Sequence, residues 1–90
     1  MASEQLIERI TTNPEVMGGK PVIKGTRITV ETIVKLVAAG ASVKEIIEDF
    51  PHITEDDIRA ALLYAAKVLE SEDIFPLKPA KISEYKILGR

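Results

Sequence analysis

The sequence predicts a mainly α-helical protein: a three-helix, helix-turn-helix core with a short N-terminal β segment before it and an extended C-terminal tail after it. Three observations carry this prediction. Apolar residues recur at helical spacing in three successive stretches between Val30 and Leu69, each preceded by a Ser or Thr and separated by chain breakers. Ahead of Thr29, Gly and Pro interrupt the chain too often for a helix. Beyond Asp73, Pro76 and Pro79 forbid helix and favour extended backbone.

The N-terminal part is punctuated by Asn13-Pro14, Gly18-Gly19, Lys20-Pro21 and Gly25-Thr26, which places the first helix after Thr29. β-Branched residues in Val22–Lys24 and Arg27–Thr29 suit a small hairpin around Gly25-Thr26. Val30, Ile33, Val34 and Val37 then line one helix face, with Thr29 as N-cap and Gly40 as the stop. Ser42-Val43-Lys44-Glu45 is a capping-box pattern, and Val43, Ile46, Ile47 and Phe50 repeat the spacing until Pro51. Thr54 opens the third helix, Glu55, Asp56 and Asp57 fill its first turn, and Ile58, Leu62, Ala65 and Leu69 mark its face as far as about Ser71. Short connections between the three helices force sharp crossings, which is the helix-turn-helix arrangement.

Ala60, Ala61, Leu63, Tyr64, Ala66 and Val68 extend the apolar surface of the third helix beyond the stripe that a three-helix core buries. A symmetric second copy, the commoner arrangement, or the chain's own tail would cover it. The sequence divides into one domain over residues 1–73 and a tail over 74–90. Ninety residues allow a single modest core, and with aromatics at 4% that core is aliphatic. There is no cysteine, which removes disulfides, thiolate metal sites and a Cys nucleophile together. No apolar run approaches the roughly 20 residues of a membrane span, so the sequence is read as cytoplasmic.

Net charge is only -2, but it is unevenly placed. Residues 1–40 are nearly neutral. Residues 41–73 set Lys44, Arg59 and Lys67 against nine carboxylates, while residues 74–90 set Lys78, Lys81, Lys86 and Arg90 against Glu84 alone. An acidic body is thus followed by a basic tail.

Few motifs point to chemistry. Gly18-Gly19-Lys20-Pro21 fails as a phosphate loop, because Pro14 stands where the first glycine belongs and Pro21 where Ser or Thr belongs. His52 is the only histidine. The acids that follow it are explained as first-turn helix residues, so neither a catalytic nor a metal site is expected, nor a cofactor. A ligand carrier or small enzyme would need a polar concavity around His52. The helix-turn-helix suggests DNA binding, yet Glu55-Asp56-Asp57 at the start of the reading helix would repel phosphates. The DNA-contacting candidates are therefore Lys20, Lys24 and Arg27 on the strand-like segment, with Arg59 as a lesser contact. Solvated surface charge is the alternative for all four.

The run Gly19-Lys20-Pro21-Val22-Ile23-Lys24-Gly25-Thr26-Arg27-Ile28, followed by helices in the order just given, resembles the signature of the DUF433 family of small bacterial and archaeal proteins. The resemblance extends from about Ile10 to Phe75. It implies a homeodomain-like three-helix fold and a role as the antitoxin-like half of a toxin-antitoxin pair, whose partner is a PIN-like nuclease with an acidic metal site. On that reading the protein is a homodimer that neutralises its toxin by occupancy and represses its own operon by binding DNA. The tail has the chemistry to lie in an acidic cleft. Ile74, Phe75 and Leu77 would anchor it, and Lys78, Lys81, Lys86 and Arg90 would meet carboxylates. A stand-alone DNA-binding transcriptional regulator is the alternative.

Overall fold

Three hydroxyl side chains set where the main helices begin. In the computed structural model, which describes residues 3–71 with side chains from Gln5 onward, Thr29 Oγ1 accepts from the Thr32 N–H at 3.0 Å and starts α2, Val30–Ala38. Ser42 starts α3, Val43–Asp49, through a full capping box in which the Ser42 N–H donates to Glu45 at 2.8 Å. Thr54 starts α4, Glu55–Glu70, through a second box whose return bond runs from the Thr54 N–H to Asp57 Oδ2 at 2.9 Å. Each cap satisfies amide donors that a helix start leaves unpaired. At its other end α2 stops at Gly40, whose φ of 96° is open to glycine at little cost. Gly40 N–H bonds to Val37 O and Ala41 N–H to Leu36 O, the paired bonds of a Schellman ending.

The protein is mainly helical, with four α-helices and a two-stranded antiparallel sheet among the described residues. The first helix does not wait for Thr29 as expected: α1 (Ser3–Ile7) stands ahead of the breaker-rich segment. Five residues cannot hold a helix alone; α1 is held because it packs on α4. The sheet also differs from the expected hairpin. β2 (Val22–Ile23) pairs with β1 (Ile10–Thr11), Ile10 opposite Ile23 and Thr11 opposite Val22. The Gly25 turn is present, but its far side makes only one bridge, Val22 with Thr29, because Thr29 must turn to cap α2. Gly18-Gly19 forms a single 3-10 turn with Met17, all three residues with positive φ, so the glycine pair reverses the chain between Val16 and Lys20.

The core is aliphatic. Ile33, Ile46 and Ile58 are fully buried, joined by Ile23, Val30, Ile53 and Ala61. The inner face of α4 is only partly the expected one: Ile58 is buried and Ala65 packs on the core as expected, but Asp57, Ala60 and Ala61 complete the buried face, whereas Leu62 and Leu69 are 37% and 66% exposed. The alanines face inward because α1 and α2 both pack on this helix, and a small side chain lets a neighbour approach closely.

Asp57 is buried in this arrangement and has two roles. One carboxylate oxygen caps α4; the other accepts from Arg9 Nη1 at 3.1 Å. Arg9 also lies 3.8 Å from Asp56. The N-terminal segment is thereby tied to the acidic start of α4, where the helix dipole favours negative charge. Among the described residues no buried side-chain polar atom lacks a partner.

Two mutational outcomes are expected in urea denaturation. Ile33→Ala removes a fully buried side chain and should cost about 3 kcal/mol, whereas Leu69→Ala, measured on the dilute monomer, should stay within about 0.5 kcal/mol. Asp57→Ala should cost about 2 kcal/mol, since cap and ion pair are lost together, and Asp57→Asn about 1 kcal/mol, since the acceptor for Thr54 remains.

Candidate functional site

The four cations expected to contact DNA do not share one cavity. Lys20 Nζ is engaged by Glu31 at 3.0 Å. Lys24 lines a polar hollow with Gln5, Glu8, Arg9 and Asp57. Arg27 lines a different one, with Thr11, Thr12, Asn13, Val16 and Thr26. Thr26 and Asn13 are already used there: Thr26 Oγ1 donates to Ile23 O and accepts from Ile28 N–H, and Asn13 Oδ1 accepts from Glu15 N–H. Arg59 is exposed on the first half of α4. Lys24 and Arg27 do flank the Gly25 turn. His52 is exposed in the turn before α4, and the described residues contain no cluster of three or more His, Cys, Asp or Glu able to hold a metal ion. The residues expected to engage a toxin, Ile74, Phe75, Leu77, Lys78, Lys81, Lys86 and Arg90, lie outside the described residues. No helix among the described residues is long and apolar enough to cross a membrane.

A strongly apolar concavity among the described residues is one that the expectations named only on one side. It is a groove of about 600 Å³ between α2 and α4. Val30 and Val34 form one wall, Tyr64, Ala65, Val68 and Leu69 the other, and Lys20 and Pro21 also line it. The excess apolar surface of the third helix was readable from its composition. That α2 supplies the facing wall was not, because Val34 has the same spacing as the core residue Ile33 and differs only in which way the helix is turned.

The rim of the groove is charged. Glu31 accepts from Lys35 Nζ at 2.9 Å and from Lys20 Nζ at 3.0 Å. One carboxylate therefore serves two ammonium groups, and the cluster keeps a net positive charge. The hydrogen bond from Lys35, followed by that from Lys20, holds the Glu31 carboxyl at about 2, well below its ordinary 4.5. The Glu31–Lys35 pair is an i,i+4 spacing legible in the sequence; the contribution of Lys20 depends on the chain reversal at Gly18-Gly19.

Because the folded value is depressed, the stabilisation from this cluster is complete above about pH 4.5 and is lost as pH falls toward 2. A carboxyl-detected NMR titration should find the Glu31 midpoint near 2. Lys35→Ala should raise it, and Lys20→Ala with Lys35→Ala should return it to the ordinary range. High salt should also raise it, since all three groups are exposed.

Residues 10–65 match the family described as protein of unknown function DUF433. Over 58 residues, 64% of this chain, the sequence is 41% identical to the uncharacterized protein y4eO of Sinorhizobium fredii, and the match spans only 26% of that protein's length. A crystal structure of a DUF433 member protein from Anabaena variabilis superposes with a TM-score of 0.66 at 36% identity, covering 74% of this chain and 66% of that one. The matched family segment takes in both strands, α2, α3 and α4 as far as Ala65, and ends before Val68 and Leu69 of the groove wall. With the family matched over more than half of its length, this chain belongs to the DUF433 family.

Proposed function

We propose that this protein is an antitoxin-like binding protein, with α2, α3 and α4 as a homeodomain-like helix-turn-helix unit, that neutralises a PIN-like nuclease toxin by occupying it. The observation that carries the reading is the character of α4. Its first turn is acidic, with Glu55 exposed, where a DNA-reading helix would approach phosphates and base edges. Farther along it leaves Leu62, Val68 and Leu69 exposed. Acid at one end and bare apolar surface at the other suit a protein partner better than a nucleic acid. The tail supplies the complementary charge for an acidic nuclease centre, with Ile74, Phe75 and Leu77 as anchors and Lys78, Lys81, Lys86 and Arg90 as the cations. The mechanism is steric and electrostatic occupancy.

Autoregulation by DNA, or a stand-alone regulator, is the second reading, and one observation favours it. Lys24 and Arg27 sit on either side of a tight turn and have no ion-pair partner among the described residues. A dimer would present two such turns.

Co-expression with the product of the adjacent gene, followed by affinity capture and light scattering, tests the first reading. A stoichiometric complex that dissociates when residues 74–90 are deleted is the expected result. Elution of the protein alone would overturn it. Salt-sensitive operator binding that is lost in Lys24→Ala with Arg27→Ala would then establish the regulator.

A further inference from the structure

We propose that the α2/α4 groove is a homodimer interface, in which the C-terminal end of α4 from a second copy of this chain lies in the groove and reciprocates. Three observations lead there. Residues 66–70 of α4 are all exposed, so the helix continues past the core with Val68 and Leu69 bare. A single exposed leucine needs no explanation, but here it continues the apolar floor formed by Val30, Val34, Tyr64 and Ala65.

The charges then select the occupant. The rim holds Lys20 and Lys35 on one shared carboxylate, leaving one positive charge for an incoming acid. Glu70 follows Leu69 directly, is exposed, and has no ion-pair partner among the described residues. The end of α4 therefore carries an apolar pair beside a carboxylate, the complement of an apolar groove beside an excess cation. It cannot enter the groove of its own chain, since α4 is already one wall of it. A two-fold axis uses the match twice, with Glu70 of each copy meeting the Lys20–Lys35 rim of the other. The small side chains of Ala65 and Ala66 allow the two helices to approach closely.

This interface takes up Val68 and Leu69, which leaves the toxin pairing to Leu62 and the tail, and the full-length chain alone tests it. Sedimentation velocity at micromolar concentration should find a dimer. Leu69→Asp should weaken it by about tenfold or more without changing the urea midpoint of the monomer, as the side chain is exposed. Glu70→Lys should weaken it as well, and Glu70→Lys combined with Lys35→Glu should recover much of the loss. A chain that stays monomeric throughout the micromolar range would overturn the proposal, as would a dimer indifferent to Leu69→Asp. A monomer in which Ile74→Ser with Phe75→Ser exposes the groove to an apolar dye would also overturn it, and would assign the groove to the chain's own tail.

Discussion

The packing of the chain depends on α4. Apart from the β1–β2 pair, the principal contacts between elements all run to this helix: α1, α2, α3 and both strands meet it. Its buried face must therefore be small, which Ala60 and Ala61 supply, and its start must be held against several neighbours at once. Asp57 does this from a buried position, closing the capping box with Thr54 and receiving Arg9 from the N-terminal segment. A carboxylate at a helix start that is both cap and ion-pair partner has its charge and its acceptor capacity satisfied together. The same group that fixes where α4 begins also fixes where the first residues of the chain lie.

Supporting every neighbour with the first half of α4 leaves the second half uncommitted. The helix is longer than the body it supports, and its apolar residues continue beyond the core. Facing α2, those residues make a groove, and on its rim the Lys20–Glu31–Lys35 cluster leaves positive charge unmatched. Three of the four acidic residues of α4, Glu55, Asp56 and Asp57, lie in its first turn, where its dipole favours them, and Glu70 stands at the opposite end. The functional character of the surface follows from this partition: acid where a DNA-reading helix would need base, apolar area where an aliphatic core has nothing left to cover it, and isolated cations on a turn.

Much of the helical framework was legible because helix ends are local events. Thr29, Ser42 and Thr54 lie three residues before the amide each one caps, and Gly40 directly follows the turn it ends, so a short window holds the whole signal. The N-terminal region was read less well, and the reason is range. The breakers there exclude a long helix, but α1 is held by α4, and β1 finds its partner across the connection formed by residues 12–21 instead of in the adjacent hairpin. Arg9 reaches Asp57 from 48 positions away, with no short-range pattern to announce it. On α4 the spacing of Ile58, Leu62, Ala65 and Leu69 was right for Ile58 and Ala65 and wrong for the two leucines, because hydrophobicity alone ranks leucine as more interior than alanine, whereas packing by two helices demands the smaller side chain.

By itself, the sequence determined the class, the three capped helices and their order, an aliphatic core without cysteine, and the contrast between an acidic body and a basic tail. These depend on composition and on residues within a few positions of one another. Only the tertiary structure decided which face of α4 is buried, that α2 forms the second wall of a groove, that Lys20 shares Glu31 with Lys35, and that Lys20, Lys24 and Arg27 face three different hollows. Each is a relation between residues far apart in the chain, set by how helices rotate about their axes once packed, and no local pattern of side chains encodes that rotation.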